Sequence, residues 1–90
     1  MAQIEIKGEI GAQYTYKQFI TDYSNAKGEM ITLFVNSVGG SVTEGNQIAE
    51  FIRSHSDQFA RVINSGHVAS IAASIFLALP FEKRFFDMAR

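Results

Sequence analysis

The chain begins with alternating apolar and charged residues and then changes to a helical spacing. The alternating apolar positions are Ile4, Ile6 and Ile10. They predict a strand with one buried face, and Gly8 predicts a kink or bulge within it. The next apolar residues are Tyr16, Phe19, Ile20 and Tyr23. Their spacing predicts an amphipathic helix, which Thr15 and Gln18 begin as a capping box and which ends near residues 25–28.

Two further strand and helix pairs follow in the pattern. Residues 30–35 are almost continuously apolar, which predicts a strand buried on both faces of a parallel sheet. Ser41 and Glu44 form a second capping box, and a helix with an apolar face follows it. Residues 59–63 predict a third strand, and residues 69–79 predict a helix that is apolar on all sides until Pro80 ends it. This order predicts an α/β fold with a parallel sheet and right-handed crossovers.

Composition excludes several classes of protein. Ninety residues make one domain or part of one, and 47% hydrophobic content with 19% charged residues is that of a globular chain. The net charge of −1 leaves no basic surface for nucleic acid or anionic lipid. The chain has no cysteine, hence no disulfide or thiolate zinc site. The N-terminus does not read as a signal peptide, and the apolar run of residues 68–81 is too short to cross a membrane. We therefore expect a soluble protein, and the lack of cysteine fits a reducing compartment such as the cytoplasm.

Two loops carry the candidate chemistry. Residues 36–42 read NSVGGSV and residues 66–74 read GHVASIAAS. Each loop follows a predicted strand and leads into a helix, where ligands of open α/β sheets bind. Gly39 and Gly40 allow positive φ, so the backbone N–H groups of this loop are able to face an anion. Ser70 begins the last helix beside the N–H of Ile71, which gives a serine nucleophile with two oxyanion donors.

Spacing alone leaves simpler explanations open. A glycine pair before a capped helix is also typical of a tight turn, and a serine at a helix start is also typical of an N-cap. No residue is a convincing base. His67 lies in the same loop as Ser70, too near in sequence to point back at it, and His55 is expected to interact with a helix C-terminus. Lys83 follows the serine too closely for a serine–lysine dyad.

Together the two loops resemble the proteolytic-subunit family of the Clp proteases (ClpP-like peptidases) and its phage and prophage head-maturation relatives. That family carries an NSPGGSV-like segment and, later, a Gly-x-Ala-Ala-Ser-like segment with the nucleophile. The opening residues 6–10, IKGEI, resemble the family's first strand. Val38 stands where the family has proline, and Val68 where it has a small residue. The resemblance covers nearly the whole chain in order and spacing.

The resemblance implies a serine endopeptidase with the crotonase-like, ClpP-like parallel β-α superhelix, which would need no metal or organic cofactor. By it, Ser70 is the nucleophile, the N–H groups of Gly40 and Ile71 form the oxyanion hole, and Gly39 supports the loop. The family's base histidine and acidic residue lie further along the sequence and have no counterpart here. Residues 1–90 are therefore expected to form a single, incomplete domain, the N-terminal portion of the fold.

The resemblance also implies partners. The substrate would be an extended polypeptide, and the protein would form a homo-oligomeric ring that works with an ATP-dependent unfoldase or within a phage capsid. Self-association is also expected because Phe81, Phe85 and Phe86 would be uncovered in a monomer. Two alternatives stay open. One is an inactive assembly or scaffold subunit that keeps the fold, and the other is an acyl-CoA enzyme of the related crotonase family, which would not need a serine at position 70.

Overall fold

The computed structural model describes residues 1–87, which form a four-stranded parallel sheet with three α-helices. The elements are β1 (Ala2–Lys7), α1 (Tyr16–Asn25), β2 (Ile31–Ser37), α2 (Val42–Ser54), β3 (Phe59–Val68), α3 (Ile71–Phe76) and β4 (Arg84–Phe86), with 3-10 turns at Ser56–Gln58 and Phe81–Lys83. The strands lie in the sheet in their order along the chain. Every neighbouring pair is parallel, so the predicted α/β class and parallel sheet are confirmed.

Side-chain caps fix the starts of the first two helices. Thr15 accepts the N–H of Gln18 at the start of α1, and Ser41 accepts the N–H of Glu44 at the start of α2. The second half of the predicted capping box is absent at Ser41, because its N–H donates to the carbonyl of Ile10. The Glu44 carboxylate instead accepts the backbone N–H of Tyr16 at 2.8 Å. One side chain of α2 thus satisfies a free N–H of α1 and joins the two helix N-termini.

The observed elements differ from the predicted ones at both ends of the sheet. β1 ends at Lys7 because Gly8 turns the chain with φ of 88°, and Ile10 makes only isolated bridges, to Tyr14 and to Gly40. β3 has ten residues rather than the five predicted, since its polar second half continues to pair with the end of β2. α3 has only six residues, against the predicted 69–79. Leu77, which caps it, is 53% exposed, so the helix is not apolar on all sides in this chain.

The hydrophobic core lies between one face of the sheet and the helices. Alternate residues of β1 and β2 are almost fully buried in it: Ile4, Ile6, Ile31, Leu33 and Val35. In β3 the buried residues are Phe59 and Val62, three positions apart because the register shifts between them. The helices contribute Phe19, Ile48, Ile52 and Ile75. The opposite face of β1 carries exposed Glu5 and Lys7. Period-2 alternation thus separates a covered face of the sheet from an open one.

Three aromatic side chains near the end of the described chain are uncovered. Phe81 is 78% exposed, Phe85 47% and Phe86 64%. The expectation that they lack cover is confirmed for residues 1–87. None of the helices in that part of the chain is long and apolar enough to cross a membrane.

Candidate active site

The two loops predicted to carry chemistry meet at one edge of the sheet. β2 and β3 are parallel neighbours, so the loops after Ser37 and Val68 leave from the same side. A Cβ atom built on Gly39 would lie 2.6 Å from the Cβ of Ser70 and 3.5 Å from the backbone nitrogen of Ile71. The glycine pair and the serine are therefore in direct contact, although they are far apart in the sequence.

Ser70 has a backbone conformation that residues with a side chain rarely adopt. Its φ is 56° and its ψ is −132°, and only Ala69 separates it from the end of β3. A sharp strand-to-helix turn of this kind lifts the nucleophilic serine out of the sheet in α/β-hydrolases. Ser70 is exposed and caps no backbone N–H of α3 with its side chain. The explanation of this serine as an N-cap side chain is therefore wrong, and its hydroxyl faces the outside.

The peptide between Gly39 and Gly40 is held in one orientation by Ile10. The Gly39 carbonyl accepts the Ile10 N–H at 2.8 Å, and the Ile10 carbonyl accepts the Ser41 N–H at 2.8 Å. Because the N–H and C=O of a trans peptide point in opposite directions, the Gly40 N–H points away from Ile10. A Cβ on Gly40 would overlap the Ile10 carbonyl oxygen, so only glycine allows this approach.

Two backbone donors of the two loops are unused. Within residues 1–87, neither the Gly40 N–H nor the Ile71 N–H donates a hydrogen bond to another group of the chain. Backbone N–H groups beside a nucleophile are able to hold the oxyanion that forms when a carbonyl is attacked. Each such donor typically lowers the barrier by about 3–4 kcal/mol.

Ile71 is fixed by close packing between α2 and α3. A Cβ on Gly45 would overlap Cγ1 of Ile71 and lie 3.2 Å from its Cβ. Gly45 is the fourth residue of α2 and is buried. Alanine would favour the helix there, so the lack of a side chain serves this contact. The Ile71 backbone, and with it the turn at Ser70, is thereby located against α2.

A bulge in β3 leads the chain into Ser70. Val35 pairs with Asn64 and Ser37 with Val68, so β3 has two more residues than β2 over this interval. The Asn36 side chain supports the bulge, since its Oδ1 accepts the N–H of His67 at 2.9 Å. The same side chain packs on Gly66, where a Cβ would overlap it. The end of β2 therefore shapes the approach to the serine.

No candidate base contacts Ser70 in the part of the chain that the structure describes. His67 is exposed and makes no side-chain hydrogen bond to the serine. His55 caps α2 as expected, with Nδ1 2.9 Å from the Phe51 carbonyl oxygen and its ring stacked on Phe51. Lys83 donates from Nζ to the Ser56 carbonyl at 3.0 Å. That carbonyl precedes β3, whereas Ser70 follows it, so Lys83 lies away from the serine.

Three residues that locate the site had no such role in the sequence interpretation. Asn36 and Ser37 stand there only as letters of the segment of residues 36–42, and Gly45 has no role there. Only Ser37 left a signal in the sequence. Ser37 continues the alternation of the three buried residues Ile31, Leu33 and Val35. The alternation therefore predicts that the polar side chain of Ser37 points into the core. Because buried hydroxyl groups are normally hydrogen-bonded, a buried serine at a strand end is expected to have specific hydrogen-bond partners.

Known proteins resemble this chain in sequence and in fold. The family model described as Clp protease matches residues 2–90. Two solved structures are similar: ClpP1 from Listeria monocytogenes, with 33% identity and a TM-score of 0.75, and its N165D mutant, with 34% identity and a TM-score of 0.74. In both cases the match covers 93% of this chain and 50% of the other. No curated sequence matches the chain.

The chain is a member of the Clp protease family. It has the ClpP-like α/β fold and spans about half the length of the solved relatives, as an N-terminal portion of that fold would. The family resemblance seen in the two loops is therefore confirmed.

Proposed function

We propose that this chain carries the nucleophile and the oxyanion hole of a Clp-type serine endopeptidase. The observation that carries the proposal is the conformation of Ser70, whose exposed hydroxyl stands at a strained turn against Gly39. Such strain costs about 1–3 kcal/mol and is retained where the surrounding structure enforces it, often at active sites. A serine needed only as a helix cap has no use for this conformation.

The chemistry follows from the atoms present. Ser70 Oγ attacks the carbonyl carbon of a peptide bond, and the carbonyl oxygen becomes an oxyanion held by the N–H groups of Gly40 and Ile71. The Ser70 proton passes to a base, which then protonates the leaving amine, and water releases the acyl group from Oγ. No residue among 1–87 is placed to act as this base. The base must come from outside the described residues.

An extended polypeptide is the proposed substrate. The glycine loop offers backbone groups to a peptide strand, because Gly39 and Gly40 present no side chain. Val38 is 63% exposed and Val42 is 62% exposed on either side of the pair. Apolar side chains of a peptide would find apolar surface there.

A fluorophosphonate probe tests the proposal. Ser70 Oγ attacks the phosphorus, fluoride leaves, and intact mass shows one added group. Because no base among residues 1–87 activates Ser70, we expect slow labelling of the native chain through the oxyanion hole alone, and none in Ser70→Ala. Ser74→Ala, which changes a serine within α3, should label at the native rate. If the probe never reacts at Ser70, this chain is not a nucleophile on its own.

The second candidate is an assembly subunit that keeps the fold without cleaving substrates. It is favoured by the exposed Phe81, Phe85 and Phe86, which association would cover, and by the absence of a base among residues 1–87. Ring formation, an ATP-dependent unfoldase or phage capsid as partner, and a cytoplasmic location belong to this proposal and to the first one alike. Analytical ultracentrifugation tests association, since a monodisperse monomer would contradict it. An oligomer that is never labelled at Ser70 would favour the scaffold.

A further inference from the structure

A buried hydroxyl lies directly behind the glycine loop. Ser37, the last residue of β2, is 2% exposed. Its Oγ donates to the Gly8 carbonyl at 2.6 Å and accepts the Gly39 N–H at 3.1 Å. The Gly39 carbonyl lies 3.5 Å from the same oxygen, so Gly8 is the better acceptor for the one hydroxyl proton. Ser37 thus joins the end of β1 to the glycine loop.

The hydrogen bond between the Gly39 N–H and the Ser37 hydroxyl turns one N–H group of the glycine loop inward. Gly39 and Gly40 both have positive φ, of 106° and 142°. In loops of this kind successive N–H groups often form a concave anion site. Here the Gly39 N–H is turned inward and used by Ser37, whereas the Gly40 N–H has no partner among residues 1–87. The loop therefore offers one donor rather than two.

We propose that Ser37 is a positioning residue of the site, a role that rests on the proposed nucleophile and oxyanion hole. Its hydroxyl holds the Gly39 N–H inward, which fixes the following peptide so that the Gly40 N–H is presented beside Ser70. Ser37 does not contact the substrate. It acts through the orientation of the peptide that does.

The turn after β1 supplies the other half of this support. Gly8 donates its N–H to the Asn36 carbonyl at 3.0 Å, which fixes the carbonyl that Ser37 uses. Ile10 binds the Gly39 carbonyl from the same turn. Removal of the Ser37 hydroxyl would leave the Gly8 carbonyl and the Gly39 N–H without their partner, and the hydrogen bonds to Ile10 would hold the glycine loop without this second support.

The test compares Ser37→Ala with Ser65→Ala. Ser65 is a matched control, because its half-buried hydroxyl also donates to a strand carbonyl, that of Val35, at 3.4 Å, without contacting the glycine loop. The rate of fluorophosphonate labelling at Ser70 is measured by intact mass. Amide hydrogen exchange and the 1H–15N shifts of Gly39 and Gly40 are measured on the same samples.

Loss of the Ser37 hydroxyl should slow labelling by about tenfold to a hundredfold, up to the effect of losing one oxyanion donor. The Gly39 amide should lose its protection from exchange and the Gly40 resonance should shift. Ser65→Ala should label within about twofold of the native chain, since no donor changes. Native labelling together with native Gly39 exchange and an unshifted Gly40 resonance in Ser37→Ala would overturn the proposal.

Ser37→Ala has two further outcomes to consider, a variant that does not fold and a native chain that is never labelled. If Ser37→Ala does not fold, Ser37→Cys decides, because it keeps a group of similar size with a weaker hydrogen bond. It should fold and label more slowly than the native chain, and a native rate would overturn the proposal. If the native chain is never labelled, the nucleophile proposal fails. The Gly39 exchange and Gly40 shift in Ser37→Ala then decide alone whether Ser37 holds the loop.

Discussion

Gly39 lies so close to Ser70 that a side chain on the glycine would stand 2.6 Å from the serine Cβ. The contact joins the two loops that carry the family's motifs, and it exists because β2 and β3 are parallel neighbours. Both residues have positive φ, so the chain is in an uncommon conformation on each side of the contact. The predictions below follow from this contact, from the packing that supports it and from a buried tyrosine.

Gly39→Ala should lower the free energy of unfolding by about 3 kcal/mol or more, through backbone strain at positive φ and overlap with Ser70. Gly28→Ala separates the two effects. Gly28 has φ of 82° and nothing within 4 Å of its added Cβ, so it should cost only about 1 kcal/mol. Urea unfolding of both variants measures the difference. Equal losses would mean that the Ser70 contact does not limit this position.

Ser70→Gly should raise the free energy of unfolding by about 1 kcal/mol, because glycine adopts the observed φ without strain. Ser70→Ala keeps the strain and should leave stability nearly unchanged. Ser74→Gly, in the interior of α3, should instead lower stability by about 1 kcal/mol. Thermal unfolding of the three variants measures these changes. A less stable Ser70→Gly would show that the turn is not strained.

Gly45→Ala should destabilise the protein by about 1–3 kcal/mol, although alanine favours a helix interior, because its Cβ would displace Ile71. In an Ile71→Ala background the same substitution should become neutral or stabilising. The expected coupling in this double-mutant cycle is about 1–2 kcal/mol. Additive effects would mean that the two side chains do not meet. Displacement of Ile71 should also slow labelling of Ser70.

Tyr14 should make the protein less stable at alkaline pH. Burial raises the pKa of Tyr14 well above its ordinary value, and the hydrogen bond from its hydroxyl to Asp22, at 2.8 Å, and the charge of that carboxylate add to the effect. Above about pH 10 the unfolded chain loses the Tyr14 proton while the folded chain keeps it. The free energy of unfolding then falls as pH rises.

Tyr14→Phe removes this group, so its unfolding free energy should fall less steeply than that of the native chain above about pH 10. The difference in slope approaches about 1.4 kcal/mol per pH unit, the value for one proton. Urea unfolding at a series of alkaline pH values measures it. Parallel curves for the two proteins would show that Tyr14 ionises equally well in the folded chain.

The sequence alone predicted those elements whose local signals agree. The spacing of Tyr16 and Phe19 and the Thr15 cap define α1, and Ser41 defines the start of α2, because these signals lie within one helical turn of each other. The two loops are also recognisable in the sequence, because their backbone conformations require glycine and small residues. Such features depend on residues that are near in sequence, so they are predictable without knowledge of the fold.

Tertiary structure decided the extent of β3 and the roles of buried polar residues. Residues 64–68 are polar and small, and they form a strand only because the end of β2 lies beside them with Asn36 supporting the bulge. Ser37 looks like a turn residue until Gly8 and Gly39 surround its hydroxyl. Partners distant in sequence determine both cases, and local propensity carries no information about them.

In the candidate site, too, some features are predictable from the sequence and others are determined only by the fold. The sequence supplied Ser70, Gly40 and Ile71 as candidates and the glycine pair that a backbone anion site needs. The contact between Gly39 and Ser70, the φ of 56° at Ser70 and the inward turn of the Gly39 N–H come from the fold. The physical reason is that residue types fix which groups exist, whereas strand order and packing fix where those groups point.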